Sequence, residues 1–343
     1  MLARNQTANN PSMKAFINSS VLEEAAASIS TLTFKDEFLS RPFLSRIQDD
    51  ELKASMLFYA VAICHQTYAL QDSSRNLYGW DYLEDGFLRM ALASPELLSS
   101  DYITTLGLDN LSQALLPWFS HDSSKTNSTL DRIEERAGLM LQAATVISND
   151  FGGSILAFLS ATNHLLFNNG HGFYELLQTL EAFSDNHRKK SSFFLKLLSD
   201  TGIYSVLDIE NIIPVMDYHM QRVLLRTGIV ATDQELTSIL ISRVEMESDE
   251  EVRGVCIEAM RKIALLAGFD ILRMNDVFYM LGRSCCLETP LCRSGSCSKE
   301  PCSLTITVDL KEHHHCLFES FCLGGSDDSY ILKWHPMVKT HFY

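Results

Sequence analysis

The chain lacks any excess of positive charge. Its 28 lysines and arginines are outnumbered by 43 aspartates and glutamates, a formal net charge of −15 at pH 7. Gripping a nucleic-acid backbone takes a basic face. Here such a patch would have to be local, so nucleic acid is a poor partner and a small ligand is favoured over a long polyanion. Long apolar runs are missing too. The longest near-apolar run, Met56 to Cys64, is too short to span a bilayer. No apolar leader is visible; Met1 to Pro11 is polar, and residues 1–20 are expected to fray. These absences point to a cytoplasmic protein with no membrane partner. There is no internal repeat, and no strand-like alternation is convincing before Leu304–Val308.

What is present is an apolar fraction of 46%, enough for a sizeable core, laid out almost everywhere at helical spacing. The predicted fold class is all-α, with a helical core over residues 21–284 and a cysteine-rich segment over 285–343. Asp49, Asp50 and Glu51 suit the start of a buried helix running to Leu70, with His65 and Gln66 placed to line a pocket or to sit in the core. Ser128–Asp131 fits a capping box ahead of a helix from Arg132 to Ser148. Gly152-Gly153 demands positive φ or close backbone approach. Trp80 and Tyr82 are flat enough to stack on a base, although aromatics at such spacing more often simply pack. Lys189 and Lys190, in a basic run opening a helix, are candidates for a phosphate or a solvated face.

The stretch Ser205–Gly228 organises the rest. The apolar segment Ile212–Met216 carries Pro214, Asp217 follows, and an amphipathic helix ends at Gly228. An acid at a helix start meets the positive end of the dipole and is expected to stay ionised. It is either a plain N-cap or, if it faces a pocket, an anion placed to meet the positive charge that grows on a sugar when a glycosidic bond breaks. His219, two residues on, is expected to point away from it.

Pro214-Val215-Met216-Asp217-Tyr218-His219 resembles the Val-Asp-Thr-His stretch of the helix-hairpin-helix DNA glycosylases, whose aspartate at this point is catalytic. The Gly-Val-Gly hairpin of those proteins is replaced here by Leu207–Asn211. Residues 50–285 are similar to the queuosine salvage family, all-helical nucleosidases that release queuine from queuosine 5′-phosphate. Phe151-Gly152-Gly153-Ser154, Lys189-Lys190, Met216-Asp217-Tyr218 and Glu251-Val252-Arg253-Gly254 carry that likeness. The family's Trp-Asp-Tyr is replaced by Met280–Arg283, so one acid of the pattern has no counterpart there, and Asp200 is the nearest candidate for another. The resemblance implies a DNA-glycosylase-like bundle and a hydrolase of a modified purine-type nucleoside or nucleotide. Asp217 would be its catalytic charge, Trp80, Tyr82 or Tyr218 would stack on the base, and Lys189, Lys190 and Arg222 would serve the phosphate. Glu251 and Arg253 would form an ion pair or touch the ligand. A DNA-repair glycosylase and a non-catalytic nucleobase-binding protein are the competing readings.

Seven cysteines crowd the C-terminal part: Cys285, Cys286, Cys292, Cys297, Cys302, Cys316 and Cys322. Cys285, Cys292, Cys297 and Cys302 form a regular ladder, with Pro290, Gly295 and Pro301 suited to turns between them and His313-His314-His315 close by. Thiolates at short intervals can wrap a structural zinc ion or an iron–sulfur cluster.

Overall fold

The computed structural model describes residues 14–35, 37–294, 297, 302–310 and 314–343. Residues 1–13, and with them most of the expected frayed terminus, lie outside the described residues, as do Gly295, Pro301 and His313. The chain is all-α in character, 60% helix and 4% strand. Its helices are α1 (Ser19–Ile29), α2 (Pro42–Ser45), α3 (Asp50–Ala62), α4 (Trp80–Ala93), α5 (Ser100–Leu115), α6 (Ile133–Phe151), α7 (Ile155–Ala161), α8 (Phe173–Gln178), α9 (Lys189–Asp200), α10 (Tyr218–Thr227), α11 (Gln234–Ser242), α12 (Glu250–Ala267), α13 (Ile271–Ser284) and α14 (Asp328–Ile331). Two antiparallel ribbons complete it: β1 (Ala15–Ile17) with β4 (Val230–Thr232), and β2 (Gln71–Asp72) with β3 (Leu77–Tyr78).

Four expectations need correction. Residues 14–20 do not fray: β1 pairs with β4, and the Ala15 N–H donates to the Glu251 carboxylate at 3.0 Å. Leu304–Val308 is not a strand; Ser303–Ile306 is a 3₁₀ turn, and only Val308 makes a bridge, to Phe34. The buried helix that starts at Asp49 stops at Ala62 rather than Leu70. The carbonyls just past its end are taken by buried Arg136, which donates to Ile63 O and, at 3.1 Å, to His65 O. Gln66 then turns the chain at φ 43. The expected capping box also fails to form: α6 starts after Arg132 at φ 50, and Asp131 bonds Arg136 instead.

Other local rules hold. Asp49 caps α3 by accepting from Leu52 N–H at 2.8 Å, and Lys53 to Ala62 are all buried. Gly152 and Gly153 both take positive φ, and a Cβ on Gly153 would stand 2.7 Å from the Asp101 carboxylate. Helix α3 packs on α9, and α10 on α13. The last pair approaches closely because Gly282 has no side chain: a Cβ there would lie 2.4 Å from the carbonyl oxygen of His219. Residues beyond 285 join the same core through Leu304, Val308 and Phe318, whose ring sits 5.1 Å from Phe278.

Candidate active site

Helix α10 begins where the extended segment Ile212–Met216 ends. Asp217 is its N-cap, accepting from Met220 N–H at 3.0 Å. The same residue lines a narrow cavity of about 70 Å³. The cap and the pocket anion are therefore one residue. Its charge does not follow the helix alone. Burial, at 7% exposure, pushes the Asp217 carboxyl up, against the Lys189 ammonium and the Met220 N–H. That shift runs opposite to the one expected from the helix dipole.

Helix α9 supplies a stripe at i, i+4 and i+7: Lys189, Phe193 and Lys196 all line the cavity. Lys189 Nζ is 3.6 Å from the Cys64 sulfur and 5.3 Å from the Phe193 ring centre. Helix α13 supplies Asn275, Asp276 and Tyr279. Asp276 is 3.1 Å from the Lys196 ammonium, yet burial, helped by the nearby Asp200 charge, pushes its carboxyl up to about 6. Asn275 is 2% exposed, and among the described residues neither polar atom of its amide has a hydrogen-bond partner. Helix α4 contributes Trp80, set edge-on to Phe193 at 4.7 Å and held by Glu84 through its indole N–H.

This chamber opens on a wider one of about 460 Å³. The two share Thr67, Trp80, Tyr218, His219, Tyr279 and Tyr343. Outer chamber size falls in the range of roughly 300–1,000 Å³ usual for small-molecule sites. Arg283 lies there, paired with Asp81, and so does Gln66.

Of the residues singled out from the sequence, Trp80, Lys189, Asp217 and Tyr218 meet at the inner cavity, and Arg222 lines only the outer one. Arg222 does not offer a free fork for phosphate. Its Nε donates to Cys286 O at 2.8 Å, its Nη2 to Gly282 O at 2.6 Å, and His219 and His335 take the rest. Tyr82 packs instead of stacking on a ligand: its hydroxyl donates to Phe119 O at 2.7 Å. Lys190, one residue round the helix from Lys189, is fully buried; its Nζ donates to Ala62 O, and burial lowers its pKa to about 7. Glu251 holds β1 and is exposed. Arg253 pairs with Asp185, whose other oxygen accepts from Lys189 N–H at 2.9 Å, so it positions the start of α9 from behind. His65 is buried close to the charges of Lys190, Arg136 and Glu135 and lines neither chamber.

The sequence reading missed Asp276, Asn275, Lys196, Tyr279 and Tyr343, and it sent His219 the wrong way. His219 lines both chambers, and burial keeps it neutral. Asp276 lies on α13 one turn before Met280–Arg283. A signal existed: Asn275-Asp276 interrupts an otherwise apolar helix pattern. Tyr343 had none. It reaches the site through the tertiary structure, its hydroxyl donating to Asp249, which Gln221 also holds at 3.0 Å.

The seven C-terminal cysteines all line a third cavity, of about 310 Å³, further along α10 and α13. None is in a disulfide. Among the described residues no helix is long and apolar enough to cross a membrane. No family model matches the chain, and no curated protein matches it.

Proposed function

We propose that the chain is an N-glycosidase acting on a modified purine-type nucleoside or nucleotide, with queuosine 5′-phosphate as the first substrate to test. The observation that carries this reading is the pairing of two carboxyls, Asp217 and Asp276, on one aromatic-walled cavity. Each has a lysine beside it and each is pushed up by burial. N-glycoside hydrolysis needs an anion near the sugar and a proton for the departing base, and environments that separate two acids can divide those roles.

In this mechanism Asp217 faces the anomeric carbon. As its carboxylate it stabilises the oxocarbenium ion and orients the water that attacks. Asp276, pushed up to about 6, carries its proton below that pH and passes it to the leaving base. Asn275 presents one donor and one acceptor to the edge of that base. Trp80 and Tyr218 flank its faces, and the ribose with any phosphate extends into the outer chamber, where the polar groups of Gln66 and Thr67 stand. The base leaves with the proton from Asp276, and water gives its hydroxyl to the sugar and its proton to Asp217.

Assay of base release from queuosine 5′-phosphate tests the reading. Asp217→Asn should lower the rate by roughly 10²–10³, the scale of a lost preorganised charge. Equal turnover by the two proteins sinks the role of Asp217. Release of no base from queuosine 5′-phosphate or from any purine nucleoside or nucleotide sinks the activity.

A further inference from the structure

A fourth cavity, of about 310 Å³, adjoins the inner chamber of the candidate active site through one side chain. Lys196 lines the inner chamber together with Asp276, and it lines this second space together with Asp200. Lys196 is 5% exposed, and its Nζ is 2.6 Å from Asp200 Oδ2 and 3.1 Å from Asp276 Oδ2. One buried ammonium therefore bridges two carboxylates that belong to different cavities. Asp200 does not line the chamber of the proposed reaction at all.

Helix physics does not explain either residue. Asp200 is the last residue of α9, where the helix dipole is negative and an acid is unfavourable. A lysine four residues ahead of an acid is also the weaker order for a pair on one helix. Positions that break local rules tend to serve something further off, and here that is Asp276 on α13. The other charges around Asp276 already have partners. Arg41 pairs with Glu84 of α4, Arg283 pairs with Asp81, and Lys189 stands by Asp217. Tyr279 on the same helix, and Tyr218, His219 and Tyr343 across the chamber, are kept uncharged by burial. An ammonium shared between two carboxylates gives each only part of its attraction. Asp200 takes the shorter contact, and its own charge opposes ionisation of Asp276.

We propose that Lys196 and Asp200 are the positioning pair that sets the pH at which Asp276 carries the proton for the departing base. The proposal rests on the reading of Asp276 as the acid of a nucleosidase. Lys196 stabilises the carboxylate that remains once the proton has gone to the base. Asp200 limits that help by holding the same ammonium, so Asp276 still binds a proton from water before the next turnover. No proton has to leave Lys196. Asp200 acts on the site only through Lys196.

The test is the pH dependence of kcat/KM for base release by the full chain. The Asp276 carboxyl is titrated in parallel by carbon NMR of aspartate-labelled protein, its signal assigned by its absence from Asp276→Asn. Asp200→Asn keeps the shape of the side chain, removes one negative charge and leaves Lys196 to Asp276 alone. The alkaline limb of the rate and the NMR midpoint should both move to lower pH. Lys196→Met should move both to higher pH. Each displacement should be about one pH unit or more, the low end of what an adjacent opposite charge does to a carboxyl. Should Lys196→Met not fold, Asp200→Asn carries the test by itself. An NMR midpoint that stays in place in Asp200→Asn overturns the proposal and leaves the nucleosidase reading standing. A midpoint that moves while the rate limb does not also overturns it, because another group then supplies the proton. Failure of the wild type to release base from any purine nucleoside or nucleotide is the separate failure of the nucleosidase reading, and it takes the proposal with it.

Discussion

Asp276 and Asp217 sit on one cavity in different company. Asp276 has an ammonium at 3.1 Å and still titrates near 6 because it is 13% exposed and shares its surroundings with Asp200. The sign of its effect on stability follows from which state holds the proton. Between about 4 and about 6 the folded chain keeps the Asp276 proton that the unfolded chain has lost, so folding stability from this group falls as pH rises through that window. The displacement is worth on the order of 3 kcal/mol. Asp276→Asn should therefore remove that slope and raise the unfolding temperature at pH 7, measured by thermal melts between pH 4 and 7. The same substitution should abolish base release, and in the wild type base release should fall as pH rises through about 6. A variant that melts higher and retains full activity assigns Asp276 to structure alone.

At the scale of elements, the site depends on how near α10 and α13 can come. Gly282 lets the backbone of His219 lie against α13, so Asn275, Asp276 and Tyr279 face the residues of the first turn of α10. Gly282→Ala inserts a methyl group 2.4 Å from a carbonyl oxygen. Overpacking of that kind costs typically 1–3 kcal/mol. The expected outcome is an unfolding free energy, from chemical denaturation, lowered by that amount, with a raised KM as the chamber widens. An unchanged free energy would mean that the two helices part freely. The end of α10 is fixed by different means. Gly228 ends the helix at φ 81, as the sequence pattern predicts, and it also makes room for Leu323, whose side chain would lie 2.5 Å from a Cβ there.

Over the whole molecule, net charge separates the two glycosidic readings. A chain at −15 has no field to draw in a duplex, and its buried arginines are spent on carbonyls and on Trp334. Binding to duplex DNA should be undetectable at physiological salt. A measurable affinity that falls steeply with salt would restore the DNA-repair reading. The molecule also closes on itself in a way that serves the site. Residues 334–343 return across α10: His335 lies 5.0 Å from the Tyr218 ring, and Tyr343 forms part of the wall of both chambers.

The sequence by itself determined the helical class, the buried α3 and the acid-capped α10 with its glycine stop. These rest on period and on caps, which are local physics. It also marked Asp217, Trp80, Lys189 and Tyr218, all of which reach the cavity. Tertiary structure alone decided the rest. Whether a polar side chain faces a cavity or a neighbouring carbonyl depends on the rotation of its helix about its axis, so Lys189 enters the site and Lys190 does not. It decided that Arg222 is occupied by carbonyls, that Glu251 holds a strand and that Tyr82 packs. It also brought Asp276 and Tyr343 to Asp217 from 59 and 126 residues away along the chain, a meeting that depends on packing between distant segments and so leaves no local pattern.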